Sequence, residues 1–275
     1  MLSRSYTVVN LSFWLNSGAA DAAEVWGNAI VYCSSDNPWG NTTASIQKAW
    51  LDLYHNAGKK VLVSAFGATE FPSSQGEDPT QTATAIAQFV VDNQLDGVDI
   101  DYEDNSAMDS GAGVNWLITL TKTLRSLLPA EKGYIITHAP QAPYFMSSYA
   151  QGGYLTIDSQ VGYAIDWYNV QFYNQGSSDY STFDTLIETS DGWATGTAVL
   201  QIGNSGVPLS KIVIGKPVTQ AGAVNTGYVD VNTLSNIITQ ALSQTSWSAG
   251  VMGWEYNEDL NGSWIATLSA CFDKK

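Results

Sequence analysis

Between residues 95 and 104 the chain reads LDGVDIDYED, and five of those ten side chains are acidic: Asp96, Asp99, Asp101, Glu103 and Asp104. Val98, Ile100 and Tyr102 are threaded between them. Alternate residues of an extended strand share a face, so Asp99, Asp101 and Glu103 form one row, spaced ~6.6 Å apart, and the apolar residues form the other. On a half-exposed antiparallel strand such a row is a solvated face. Turned into an enclosed interior, it is a set of carboxyls that cannot all ionise cheaply, because desolvation and mutual repulsion raise some of their pKa values and couple their titration. One carboxyl that keeps its proton near neutral pH is a general acid. A calcium loop would need a glycine at its sharp turn, and none lies within 99–104.

The choice depends on the elements that hold the row. Short apolar runs recur at 6–13, 28–33, 60–67, 96–103, 133–140, 168–174, 211–217 and 250–256, several nearly continuous in Val, Ile and aromatics. Continuous runs suit parallel strands covered by helices. Helical patterns fall between them. The segment 43–57 places Ile46, Trp50, Leu53 and Tyr54 near one face, and 78–94 opens with Asp78 as cap and Pro79 as first helical residue. The segment 114–129 stops at Pro129, 231–244 repeats the periodicity, and 259–273 is expected to form a last helix. The stretches 14–27 and 141–167 read as irregular. Eight strands alternating with helices and no linker predict an α/β fold, a single catalytic (β/α)8 barrel over 1–275, with an open doubly wound sheet as the rival. In a barrel the outward face of each strand packs on helices. Val98, Ile100 and Tyr102 then point outward, the three carboxyls point inward, and Glu103 sits at the carboxyl end, where barrel active sites form.

Composition narrows the partners. The net charge is −15 and no basic cluster exists, which argues against nucleic acid and acidic membrane surfaces. No apolar run approaches the ~18–20 residues of a membrane span. Two isolated histidines, His55 and His138, and no Cys/His cluster leave no metal site, and no cofactor is expected. Cys33 and Cys271 are either a disulfide or two buried thiols. Asn41 and Asn261 lie in glycosylation sequons in loop-like sequence, whereas the sequon at Asn10 falls inside an expected strand. The start, MLSRSYTVVNLSFW, lacks a signal peptide's apolar core and cleavage site; a secreted, extracellular protein whose signal has been removed, acting as a monomer, is the expectation.

On these motifs the chain resembles glycoside hydrolase family 18, whose fourth-strand signature D-G-x-D-x-D-x-E is matched by Asp96, Gly97, Asp99, Asp101 and Glu103. VQFYNQ (170–175), KIVIGKPVTQAG (211–222) and GVMGWEYNED (250–259) resemble the sixth, seventh and eighth strands of hevamine-like plant class III chitinases and their fungal relatives. The resemblance implies a retaining hydrolase without a protein nucleophile, in which the substrate's own N-acetyl oxygen attacks the anomeric carbon. Glu103 would then be the acid that protonates the glycosidic oxygen. Asp101 would orient the acetamide N–H, Asp99 would share a proton with Asp101, and Tyr173 would reach the acetamide oxygen. Trp254, Gln171, Asn174, Tyr102, Phe13 and Ser64 are the expected substrate-binding residues, Trp254 as the floor under the sugar. Asp96 serves the turn into the strand, and His138 fills the lumen.

The pattern also departs from the family. Phe66 stands where a glycine is usual, Asp104 follows the acid where many chitinases carry an aromatic or His, and Phe13–Trp14 differs from the plant enzymes. The implied substrate is chitin or N-acetylglucosamine oligosaccharide. Trp14, Trp39, Phe71, Tyr144, Phe145 and Trp167 are candidates for stacking on its sugars. The alternatives are an endo-β-N-acetylglucosaminidase acting on the chitobiose core of N-glycans, of which Asp104 is an echo, and an inactive chitin-binding lectin-like protein.

Overall fold

Residues 4–16, 44–176, 179–190 and 192–273 are described by the structure, a computed structural model. The expected strand at 28–33, together with Cys33, Trp39 and Asn41, lies outside them. The chain divides into two compact units, Met1–His138 with Val161–Asp166, and Ala139–Gln160 with Trp167–Lys275.

The first unit is built on strands β1 (Val8–Trp14), β2 (Lys60–Gly67), β3 (Gly97–Tyr102) and β4 (Ile135–His138), each paired in parallel with the next in chain order. All six residues of β3 are buried, as are all of β2 after Lys60, which is the mark of strands covered on both faces. Gly97 opens β3 because a Cβ there would lie 1.9 Å from the Ile135 carbonyl oxygen. Helix α1 (Ala44–Asn56) buries Leu51 and Tyr54, while Leu53, expected on the same face, is exposed. The inward stripe follows 47, 50, 51 and 54, an i, i+3, i+4, i+7 set that excludes position 53. Helix α2 (Pro79–Asp92) begins as expected: the Asp78 carboxylate accepts from the Thr80 and Gln81 N–H groups, both at 2.9 Å.

Asp96 lies just ahead of β3 and accepts three hydrogen bonds, from His55 Nε2 at 2.8 Å, Lys60 Nζ at 2.9 Å and the Val61 N–H at 2.8 Å. The end of α1, the start of β2 and the entry to β3 are thereby tied to one carboxylate. Burial pushes the Asp96 carboxyl up, but the Val61, Lys60 and His55 donors outweigh it and hold it below its ordinary value. The turn role expected of Asp96 is what the structure shows. It also gives His55, which has no evident partner in the sequence, its contact.

Helices α3 (Asn105–Ser110) and α4 (Ala112–Leu127) follow β3. Arg125 of α4 donates to the carbonyls of Ala164, Leu128 and Tyr134 and to Asp166, which in turn accepts from the Ile136 N–H at 2.7 Å. One guanidinium fork thus secures the segment 161–166 against the β4 entry.

The second unit carries strands β5 (Trp167–Gln171), β6 (Ile212–Pro217) and β7 (Val251–Trp254), again parallel in chain order, with helices α5 (Gly153–Val161), α6 (Val199–Asn204), α7 (Val231–Gln244) and α8 (Ser263–Phe272). The stretch 141–167 is more ordered than expected: it holds three 3-10 turns and α5, and the rings of Tyr144, Phe145, Tyr154 and Tyr168 pack on one another. Ring packing rather than a 3.6-residue period holds this segment, so hydrophobic periodicity does not reveal it. Helix α7 matches its expected bounds, and α8 falls within 259–273. Cys271 is buried in α8, its Sγ 3.2 Å from Ser235 Oγ.

His138, expected in the lumen, pairs in register with Ile100 and reaches the helix side instead, its Nε2 3.2 Å from Thr121 Oγ1 of α4. Complete burial pulls it down to about 3. The unfolded chain takes up a proton at this residue below about pH 6.5, and the folded chain refuses it until about pH 3, so stability falls with pH across that window, by roughly 3–5 kcal/mol. Urea melts of the wild type and of His138→Gln at pH 7 and pH 4 should show a smaller loss in the variant. Equal losses would reject the assignment.

Candidate active site

The row of acids is decided by what packs on its back. Tyr102 is fully buried, its ring 5.6 Å from that of Trp116 on α4, and its hydroxyl donates to Ser73 Oγ at 2.6 Å. Burial pushes its phenol well above the ordinary tyrosine range. Tyr102 and His138 therefore mark the helix-facing side. The opposite face of β3 carries Asp99 and Asp101, 3% and 7% exposed. The half-exposed Glu103 follows directly after the strand. Tyr102 was expected to bind substrate; the structure makes it a core residue that braces the strand from behind.

Asp99 is held on both sides by its strand neighbours. Ser64 of β2 and Thr137 of β4 lie in register with it, and their hydroxyls donate to Oδ2 at 2.8 Å and Oδ1 at 2.5 Å. These bonds lie in a buried layer, where removal of a donor costs more than at a surface. Ser64 was another expected substrate contact. It is 3% exposed and committed to Asp99, so it positions the acid row. Thr137 was not foreseen; the signal in the sequence was a hydroxyl residue inside the apolar run IITH.

Phe66 resolves a departure from the family pattern. By strand alternation it would share the face of Ser64 and crowd the acids. Instead its backbone adopts a left-handed conformation, φ +82°, and its ring meets Tyr102 at 6.5 Å and Trp116 at 5.8 Å. Left-handed backbone at a bulky residue costs about 1–3 kcal/mol, which the aromatic packing on the helix side offsets. The next residue, Gly67, is also left-handed, and a Cβ there would stand 2.9 Å from the Phe13 ring. Phe13, half-buried, thus lies over the end of β2.

Asp104 turns away from the row. It caps α3 through the Ala107 N–H at 3.1 Å and accepts from Ser74 N at 2.7 Å and Ser74 Oγ at 2.6 Å. It is 1% exposed, so its contacts are with the frame.

In the second unit the remaining expected residues gather at the carboxyl ends of β5 and β7. Gln171 is buried, its Nε2 donating to the Ala139 carbonyl at 2.9 Å. Tyr173 is 5% exposed, and its carbonyl accepts from Gln175 Nε2 at 2.9 Å. Asn174, φ +62°, uses its side-chain oxygen to accept from the Val224 and Asn225 N–H groups, so it shapes the facing loop. Gly227 presses on Tyr173 so closely that a Cβ would lie 2.5 Å from the Tyr173 Cα. Trp254 is half-buried at the end of β7, with its carbonyl accepting from Val218 N at 2.7 Å. Beside it, burial and then the charge of Glu258 push Glu255 up. Of the stacking candidates, Trp14, Tyr144 and Phe145 are core residues, Trp167 is half-buried, and Phe71 is 40% exposed. Among the described residues, no group of three or more His, Cys, Asp or Glu is arranged to hold a metal ion.

The family model for glycosyl hydrolases family 18 matches residues 4–270. The chain belongs to that family. It is a family 18 glycoside hydrolase, and its fold class is the (β/α)8 barrel. The crystal structure of a family 18 chitinase from Pseudoalteromonas aurantia is 33% identical, covers 98% of this chain and 94% of its own, and superposes with a TM-score of 0.77. A chitinase of Enterococcus faecalis is 25% identical over 95% of this chain and 75% of its own length. An acidic endochitinase of Cicer arietinum is 24% identical over 94% and 82%. Among the described residues there are seven strands.

The capping role of Asp104 in this hydrolase is open to a direct check. Asp104→Ala removes a helix cap worth about 1 kcal/mol and two further hydrogen bonds. Its melting temperature should fall by at least ~2–4 °C. An unchanged melting temperature would return Asp104 to the list of residues held for function.

Proposed function

We propose that this hydrolase cleaves β-1,4-linked N-acetylglucosamine chains, chitin or its oligosaccharides, with retention of anomeric configuration and with Glu103 as general acid and base. The observation that carries the reading is the disposition of β3. Its aromatic back is packed on α4, its two buried aspartates lie on the opposite face, and the one half-exposed acid stands at the carboxyl end. Family membership and the chitinases among its relatives support the substrate.

In this mechanism Glu103 gives its proton to the glycosidic oxygen as the bond to the anomeric carbon breaks. The acetamide oxygen of the same sugar forms the new bond to that carbon, giving an oxazolinium ion, and the leaving chain departs with the proton. Glu103, now a carboxylate, takes a proton from the water that opens the ring. Asp101 holds the acetamide N–H and offsets the positive charge that develops on the ring. Asp99, anchored by Ser64 and Thr137, is the fixed partner with which Asp101 shares a proton. Tyr173 donates to the acetamide oxygen, Trp254 floors the sugar, and Gln171, Asn174 and Phe13 border it. Residues 1–275 act as one catalytic domain, since the family match runs through both units. A neutral polymer suits a chain of net charge −15. No helix among the described residues is long and apolar enough to cross a membrane. The reading places the enzyme outside the cell, working as a monomer on an extracellular polymer.

Glu103→Gln should lower kcat about 10²–10⁴-fold, with little change in fold or in oligosaccharide binding. Unchanged turnover would reject Glu103 as the acid. Early products of N-acetylchitooligosaccharides, read by NMR, should carry the β configuration. An α product would exclude substrate assistance. Release of glycan from a high-mannose glycoprotein, with chitin oligomers left intact, would favour the N-glycan reading instead.

A further inference from the structure

Lys216 lies on β6 within the apolar run IVIGKP and is completely buried. Its ammonium spends all three donors on main-chain carbonyls, Phe172 at 2.7 Å, Tyr180 at 2.6 Å and Gly227 at 3.0 Å. Two of those carbonyls belong to the immediate surroundings of Tyr173. Phe172 precedes it in the chain. Gly227 is the residue whose Cα rests against the Tyr173 backbone, at φ +94°, with no room for a side chain. The third, Tyr180, stacks edge-on against Phe172 with ring centres 5.2 Å apart, and its hydroxyl pairs with Thr197 at 2.6 Å.

We infer that Lys216 is a positioning residue for the hydrolysis: a three-pronged clamp that fixes the Tyr173 backbone from both sides and so aims its hydroxyl. The inference rests on the role given above to Tyr173. Three separate segments, the end of β5, the turn at Tyr180 and the loop at Gly227, are joined at this one nitrogen. The rest of the stitching is local to the same place: Asn174 N donates to the Thr226 carbonyl at 2.7 Å, and Gly176 N to Thr226 Oγ1 at 2.9 Å. Such a cation is a costly way to fill space. Burying an ammonium against carbonyl dipoles is expensive, and burial pulls the group down to about 7. Below that pH it is the full three-donor ammonium. A methionine would fill the same volume without the desolvation cost but would leave three carbonyls unheld. The geometry therefore favours alignment over packing. Displacement by a fraction of an ångström at a hydrogen-bond donor is enough to slow chemistry while leaving substrate binding nearly intact.

The test is a double-mutant cycle on a tetramer of β-1,4-linked N-acetylglucosamine, with Lys216→Met, Tyr173→Phe and the double variant. Tyr173→Phe should lower kcat about 10²-fold. Lys216→Met alone should lower kcat on the order of tenfold with KM within about threefold, and in the Tyr173→Phe background it should cost less than about twofold more. A lysine that only supported the fold would multiply its loss with that of Tyr173→Phe, and this result would overturn the clamp. If Lys216→Met does not fold, Lys216→Gln keeps two N–H donors and should give a smaller kcat loss that also vanishes in the Tyr173→Phe background. Wild-type kcat in a folded Lys216 variant, alongside an impaired Tyr173→Phe, overturns the clamp alone. Wild-type kcat in Tyr173→Phe removes the role of Tyr173 and the clamp with it.

Discussion

A parallel strand backed by helices gives its charged residues one direction in which to point. On β3 the helix side is filled by Tyr102 against Trp116, and on β4 by His138 against Thr121. A carboxylate on that side would be buried against α4 without a counter-charge, at a cost of several kcal/mol. The alternation of the strand then sends Asp99 and Asp101 to the other face and brings Glu103 to the end of the row. The assignments of Asp99, Asp101 and Glu103 depend on that alternation. It is also why the bracing residues matter as much as the acids: the ring of Tyr102 sets the strand's orientation, and the hydroxyls of Ser64 and Thr137 hold Asp99 from either side.

The two units treat the same problem differently. In the first, acidic groups are fixed by short side-chain donors on adjacent strands, because register places Ser64 and Thr137 directly beside Asp99. In the second, the reactive candidate is a tyrosine on a chain segment beyond the strand, and register alone cannot hold it. Main-chain carbonyls are gathered around Lys216, Asn174 secures the facing loop, and Gly227 allows the close approach. Strain is accepted where it keeps the acid face clear. Phe66 takes a left-handed backbone that swings its ring to the aromatic layer with Trp14, Tyr102 and Trp116.

Several residues that invite a functional reading turn out to serve the frame. Asp104 caps α3 and binds Ser74, Asp96 collects His55, Lys60 and the Val61 N–H, and Trp14, Tyr144 and Phe145 are packed in the core. All five are acidic or aromatic, the residue types that chemistry and sugar binding also use. Residue type cannot separate the two roles, since a carboxylate serves a helix N-terminus and a glycosidic bond equally well.

The sequence by itself determined the alternation at 97–103, the strands found among the described residues, the helices of ten residues or more, and the family, because each is a local pattern: a period of two, a period of 3.6, a cap at Asp78, a motif of fixed spacing. It also carried the turn role of Asp96 and the pairing of acids on one face. Only the tertiary structure decided the partners. That Ser64 and Tyr102 brace the strand rather than meet substrate, that His138 looks to α4, that Leu53 leaves the buried stripe, and that Lys216 binds three carbonyls all depend on contacts between residues 11 to 44 positions apart, or on the phase of a helix against its sheet. Local pattern fixes which way a side chain leaves its own strand. What it meets there is set by register and packing between segments, which no single stretch of sequence encodes.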